Sequence, residues 1–425
     1  MKESRGVATS SGVGALTPYV DVLRTPYALR MVLFGFIGRL PLSMVGLGSV
    51  LLVEDYTGSY GLGGGVAATG AVTTALLGPL IGRLADCLGQ RRVLLPVVAV
   101  HIVGGLVFLF AVRSQTDAQP WPLWVMFVAA GVAGAALPPI SSMIRTRWSY
   151  LLKGSPRLQI ALAFESVTDE LVFIIGPVLV TFLSTTGHTT SGIVTAFVLA
   201  VVGSLLFAAQ FHTEPPPTGL HLRHGPLAIR TPGLWVLCPV GLALGAILGV
   251  LEVSLVAFAD EVNRKAYAGL LIAALAVGSM LSGVLWGLVH WHNELRRRLV
   301  YSLAVLAVGT IPLLLVSNLW LMMIFVFIAG TAVSPSLIGA FTLTERLVPS
   351  AVVTEGFTWL GTSVGLGVAL GAGMSGKLVD LSGANTAFSV ATVAAGAAAL
   401  VVLVGQKQLD EGPVVRSVAI DTPAV

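Results

Sequence analysis

Twelve apolar runs dominate this chain, near residues 31–53, 62–81, 93–112, 121–143, 159–183, 190–211, 234–258, 267–290, 299–317, 319–344, 353–376 and 384–405. Each is close to or above the roughly 20 residues that a helix needs to cross hydrocarbon. Only helices and closed barrels satisfy every backbone N–H and C=O without water, and the strand-like alternation of a barrel is absent. The chain therefore reads as an all-α membrane protein with twelve transmembrane helices. Composition agrees, with 55% of residues hydrophobic and 10% charged, against about 25% charged in soluble domains. Residues 1–30 are mixed and largely polar, without an apolar core ahead of a small-residue cleavage site, so the first span is expected to act as the insertion signal.

Lys and Arg set the expected orientation, because cytoplasmic loops retain them. With both termini placed in the cytoplasm, 19 of the 24 Lys and Arg fall on that side. Arg113, Arg264, Lys265 and Lys377 fall on the other, and Arg39 lies inside the first span. A cell-membrane, multi-pass protein with cytoplasmic ends follows. This topology accounts for the net charge of +4, so the basic balance is no argument for nucleic-acid binding. Cys87 falls in a loop and Cys238 in a span, which makes a disulfide between them implausible.

The chain also divides in two. A cytoplasmic linker at 212–233, with three consecutive prolines that favour an extended path, separates a six-helix bundle at 31–211 from a second at 234–405. A cytoplasmic arm at 1–30 and a tail at 406–425 flank them. At an offset of roughly 200 residues, typical of an internal repeat, "GRLADCLGQRR" at 82–92 falls on "GLVHWHNELRR" at 287–297, and "AFESVTDE" at 163–170 falls near "GFTWLGTS" at 356–363. Pro138-Pro139 in the fourth span and Pro335 in the tenth occupy related places and are expected to bend both helices. The pattern is that of an internal duplication.

Two sixes of spans, cytoplasmic termini and G-x-L-A-D-x-x-G-x-R-R between the second and third spans resemble the major facilitator superfamily. The likeness runs from about Tyr27 to Gly405. It implies that Gly82 allows close helix packing, that Asp86 faces the N-terminal end of the eleventh helix near Glu355, and that Gly89, Arg91 and Arg92 complete a latch holding the halves together in one of two alternating states. A carboxylate is independently favoured at a helix N-terminus. The chain departs from the pattern at Cys87 and Gln90, where basic residues are usual, and at Trp291, which takes the aspartate position of the second copy. The fourth span, read as "WVMFVAAGVAGAALPPISSMI", holds no arginine of the kind that proton-coupled drug exporters carry. Of their fifth-span glycine pattern only Gly176-Pro177 survives.

Ionisable residues in hydrocarbon are costly and mark function or tight pairing. Arg39 lies about 12 Å from the cytoplasmic start of its span and Asp169 and Glu170 about 15–17 Å into theirs, with Glu165 one turn shallower, at 1.5 Å per residue. Comparable depth suggests pairing. Glu165 and Asp169 share a helix face and Glu170 is turned about 100° away, so one arginine is not expected to neutralise all three. Burial favours the protonated carboxyl and a nearby arginine opposes it, so moving the arginine would move a proton. The bland alternative is a static ion-pair cluster, or for Glu165 a place in cytoplasmic water. Glu252, preceded by Gly245 and Gly249, is a second proton or substrate candidate, or else reaches the outer water. Glu355 doubles as a helix cap.

Other residues carry less. His101 reads as a neutral, hydrogen-bonded residue; His188, His212, His221, His224, His290 and His292 read as solvated, without further metal ligands. Phe36, Trp286, Phe357 and Trp359 either line a cavity or face lipid and helix seams. No nucleophile motif, phosphate loop or metal helix is present, so neither enzyme chemistry nor a cofactor is expected. The sequence is best read as a secondary transporter, a monomer in the lipid bilayer that exports a small-molecule substrate against protons. A sugar or metabolite symporter or uniporter is the alternative, and a non-transporting receptor or scaffold a remote third.

Overall fold

A computed structural model describes residues 17–219, 227–264, 267–289 and 294–410. His221, His224, Lys265, His290, Trp291 and His292 lie outside the described residues. A short helix α1 (Thr17–Leu23) leads into the first span, α2 (Ala28–Thr57). It is followed by α3 (Tyr60–Leu88), α4 (Gln90–Arg113), the broken fourth span α5 (Leu123–Ala135) and α6 (Ile140–Leu151), then α7 (Arg157–Thr186) and α8 (Thr190–Ala208). The second bundle holds α9 (Pro232–Glu261), α10 (Ala268–Leu288), α11 (Leu295–Thr310), the broken tenth span α12 (Leu319–Gly330) and α13 (Val333–Leu347), α14 (Val353–Ser382) and α15 (Ala384–Val404). Twelve helices, counting each broken pair once, are long and apolar enough to cross a membrane.

Both breaks coincide with proline, and in the fourth span two carbonyls beside the break take partners from elsewhere. Pro138 and Pro139 offer no N–H to the carbonyls four residues back. The Leu137 N–H turns to Gly134, and the Thr74 hydroxyl of α3 donates to the same Gly134 carbonyl at 2.7 Å. The Ala133 carbonyl, passed over by Leu137, accepts from His101 Nδ1 at 2.8 Å. His101 is thus a buried neutral donor that repairs a broken helix. In the tenth span Pro335 withholds an N–H from the Thr331 carbonyl, and the helix restarts at Val333.

The fourth span runs further than its apolar stretch. The sequence reading ends it at residue 143 and counts Arg145 and Arg147 as loop residues; both are helical and buried, at 1% and 0% exposure. No glycine or proline interrupts the chain between Ile140 and Lys153, so the helix continues after the hydropathy has fallen.

Between α9 and α14 the packing is backbone on backbone. Gly245 and Gly249 face the carbonyls of Val364 and Val368, while Gly367 and Gly371 face those of Leu242 and Ala246, and a Cβ on any of the four would collide with main-chain atoms. Helices in lipid associate through such small-residue contacts because no hydrophobic driving force separates helix from solvent. Gly245 and Gly249 therefore serve close approach rather than a bend at Glu252.

The two bundles meet at the end that carries the interbundle linker, where α3 lies on α14 and α7 lies on α10 and α13. The substitution Gly249→Leu should push α14 off α9 and lower the thermal midpoint in detergent. An overpacked seam commonly costs about 1–3 kcal/mol, and an unchanged midpoint would count against the interlocked seam.

Candidate functional site

Two clusters join the elements at the linker end, one electrostatic and one of helix capping. The first is built from Arg39 on α2, Arg145 and Trp148 on α6, and Glu165, Asp169 and Glu170 on α7. Arg39 Nη1 donates to Glu165 Oε2 at 2.7 Å and to Asp169 Oδ1 at 2.9 Å. Glu165, wholly buried, also accepts from the Trp148 indole at 2.7 Å, so both of its oxygens are satisfied. Asp169 Oδ2 accepts from Arg145 at 2.7 Å. Two cations and two carboxylates thus form a closed, charge-balanced chain, the arrangement that lets ion pairs persist in a low-dielectric interior.

Glu170 stands apart from it. Turned from Asp169 by one residue, it points toward the second bundle, where Ser279 of α10 donates to its Oε1. Its Oε2 is buried and makes no hydrogen bond of standard geometry among the described residues, with the Ser334 hydroxyl of α13 as a further neighbour of the carboxyl. Arg145 also crosses between bundles, its guanidinium lying 3.9 Å from the centre of the Phe341 ring on α13. Cation–π contacts of this kind gain strength when desolvated.

The second cluster is a helix cap supplied by a different helix. The residue before α14 is Val352, which has no side-chain acceptor for the orphan N–H groups of the first turn. Asp86, at the end of α3, takes that role: Oδ1 accepts from the Thr354 N–H at 3.3 Å and Oδ2 from the Glu355 N–H at 3.0 Å. Gly82, one turn earlier, admits the close approach, since a Cβ there would lie 2.6 Å from the Thr358 hydroxyl oxygen and 3.1 Å from the Thr354 carbonyl. The Thr354 hydroxyl donates to Thr146 on α6 at 2.9 Å, beside Arg145. Glu355 is buried with Arg83, Trp359 and the backbone of Ala228 and Ile229 in its surroundings, and its Oε2 makes no hydrogen bond of standard geometry among the described residues.

Gly89 closes α3 and opens α4 by itself, at φ +94°, a conformation that disfavours side chains. The start of the linker straps this turn. Glu214 accepts from the Arg91 N–H at 2.9 Å, and Thr218 donates through both its N–H and its hydroxyl to the Asp86 carbonyl. Arg147 fastens the same strap from beneath, through Gln90 at 2.8 Å, the Gln210 carbonyl at 2.9 Å and Thr213 at 2.8 Å, while its guanidinium lies over Phe207. Gln90, a departure from the loop signature, is therefore a buried partner of Arg147. The side chains of Arg91 and Arg92 are exposed, and no hydrogen bond or ion pair from them to the second bundle is found among the described residues. The electrostatic contribution from this loop comes from Arg83.

Glu252 belongs to neither cluster: it is exposed on α9 and has no hydrogen-bond partner among the described residues. The sequence reading missed Arg145, Arg147, Trp148 and Ser279. The first three lie past the apolar stretch on a helix that nothing in the sequence terminates, and that continuity was the available signal. Ser279 carries none, since one serine in an apolar helix looks like any other.

Similarity places this geometry among known proteins. The sequence model of the Major Facilitator Superfamily matches residues 31–290 and, as a second match, 237–419. No curated protein matches the sequence. The fold is similar to that of a bacterial homologue of the iron transporter ferroportin in an outward-facing state, with a TM-score of 0.70 and 14% identity over 89% of this chain and 99% of that one. It is also similar to the human organic anion transporter MFSD10 (TM-score 0.63, 16% identity, 90% and 99% of the chains). A third likeness is to the proton:xylose symporter XylE (TM-score 0.59, 14% identity, 88% and 94%).

Two variants check the clusters. Arg39→Ala leaves the buried Glu165 carboxylate with only Trp148, and breaking a buried pair costs about 3–5 kcal/mol; a fall in thermal midpoint is expected, partly restored by adding Glu165→Leu. Asp86→Asn replaces one acceptor with an amide that confronts the Glu355 N–H. Loss of a cap is worth roughly 0.5–2 kcal/mol, so the ratio of linker-side-open to linker-side-closed molecules should rise about fivefold. Distances between spin labels at Lys153→Cys and Ser350→Cys, with Cys87 and Cys238 replaced, read that ratio.

Proposed function

Because this chain belongs to the major facilitator superfamily, whose members are multi-pass secondary transporters, we propose that it exports a small organic molecule in exchange for protons by alternating access of its two bundles. The observation that carries this reading is the position of Glu170. Glu165 and Asp169 are matched by Arg39 and Arg145, whereas Glu170 has a hydroxyl from the opposite bundle and no cation. An ionised carboxyl in such a place is costly, and the group relieves the cost by binding a proton.

The cycle follows from that contact. With the linker end closed, Glu170 is sealed between α7 and α10 and holds its proton. Separation of the bundles at the linker end withdraws Ser279, admits water and lets the proton leave. The nineteen basic residues on the side of the termini support a cytoplasmic linker end, and on this reading contact between the bundles at that end belongs to an outward-facing state, from which opening lets the proton leave inward while substrate enters the site. Asp169, whose side chain is 25% exposed, is the member of the balanced chain within reach of substrate. A monomer suffices, because both halves of the gate lie in one chain. A sugar or metabolite symporter or uniporter is the competing reading, and it differs in the direction of substrate movement relative to protons.

Transport in proteoliposomes tests the proposal, with candidate substrates screened with and without an imposed pH gradient. Glu170→Gln is expected to reduce gradient-driven accumulation more than about tenfold, the loss of a step that proton transfer supplies, while downhill exchange persists. Retention of gradient-driven accumulation by this variant would remove Glu170 as the proton carrier, and substrate moving in the same direction as protons would favour the symporter.

A further inference from the structure

The second half has no carboxylate at the position that matches Asp86. In the first copy Gly82 brings α3 against α14, and Asp86 then caps α14 across the interface. In the second copy Gly287 brings α10 against α7 in the related way, with a built Cβ 3.0 Å from that of Ala163. The residue matching Asp86 there is Trp291, which has no carboxylate. The residue before α7 is Pro156, and the first-turn N–H of Arg157 is met within its own bundle by the Ser155 hydroxyl at 3.2 Å, with no carboxylate crossing from the other bundle among the described residues.

A residue from outside both bundles occupies this second seam. Tyr19 of α1 is buried at 7% exposure, and its hydroxyl donates to the Val284 carbonyl of α10 at 2.7 Å. Its ring centre lies 6.5 Å from that of Phe164 on α7. Gly287 has no Cβ because one would collide with the Tyr19 hydroxyl. The side chain therefore touches the first bundle through its ring and the second through its oxygen. The local sequence explains the placement: in "TPYVDVL", Tyr19 and Val22 are three apart and both buried, while Asp21 and Arg24 form an exposed pair.

We propose that α1 is a second latch between the bundles, in which Tyr19 bridges the seam where the second half has no counterpart of Asp86 and must withdraw before the linker end can open. The fixing of α1 is local. A cavity of about 390 Å³ bounded by Asp21, Arg24, Thr25, Pro26, Leu152 and Arg157 lies beside its C-terminal end. The turn into α2 contains Tyr27 at φ +65°, a conformation costly for a residue with a side chain. The helix is thus held by Tyr19 and Val22 and joined to α2 by a strained turn. Burial pushes the Tyr19 phenol up to about 12, so it remains a donor across physiological pH and the latch is mechanical.

This inference rests on the alternating-access reading, and the same label pair, Lys153→Cys with Ser350→Cys, separates the two in the full-length protein. Tyr19→Phe keeps the ring and loses the hydrogen bond, a net contribution near 1 kcal/mol, so the open-to-closed ratio should rise about fivefold. Tyr19→Ala removes the wedge as well and should raise it more than about tenfold. Should Tyr19→Ala fail to accumulate, Tyr19→Phe alone decides. An Asp86→Asn shift without any shift in the Tyr19 variants overturns the second latch and leaves alternating access standing. No shift in any of the three variants overturns both.

Discussion

In hydrocarbon a bare carbonyl or an unmatched charge has no water to turn to, and this one constraint organises the molecule. The proline break in the fourth span strips two carbonyls of their helical donors, and Thr74 and His101 come from neighbouring helices to satisfy them. Arg39 and Arg145 are tolerated because Glu165 and Asp169 take up their charge, with Trp148 filling the remaining acceptor. Along α9 and α14 glycines bring backbones together and dispersion holds the seam, with one buried hydrogen bond between Ser254 and Ser375 crossing it.

The same constraint makes the break useful. The half-helix α6 carries Arg145, Thr146 and Arg147 in succession, and each reaches a different part of the gate. Arg145 joins the charge chain and lies against α13, Thr146 meets α14, and Arg147 grips the start of the linker. A straight fourth helix would present these three residues as one rigid piece with its outer half. The Pro138-Pro139 break lets α6 take a direction of its own, and its contacts tie the buried acids to the interface between bundles.

The two halves are similar in frame and differ at the seams between them. Gly82 and Gly287 serve similar approaches in the two copies, but the first contact is finished by the charge of Asp86 and the second by the hydroxyl and ring of Tyr19. Asymmetry also appears in the acids, which gather on α7 without an equivalent set on α14. The first bundle holds the paired acids, and the second supplies surfaces against them, Ser279 and Phe341 among them.

Twelve spans, two bundles and the placing of Asp86 near the eleventh helix were legible in the amino-acid order because hydropathy, loop charge and a short motif are local properties. The pairing of Arg39 with Glu165 and Asp169 was legible for a related reason: depth along a helix follows from residue count, and opposite charges at one depth in lipid seek each other. What the order of residues left open was decided between helices. Arg145 and Arg147 looked like loop residues because hydropathy reports contact with lipid, whereas a helix buried among other helices continues wherever hydrogen bonds and partners allow. Arg91 and Arg92 fit the motif yet face away, and Glu170 obtained its serine, and Tyr19 its carbonyl, from segments more than a hundred residues distant. Local sequence determines which segments enter the membrane and how deep each charge lies; only the packing of one helix on another decides which charges are matched, which acid is left over and what closes the gate.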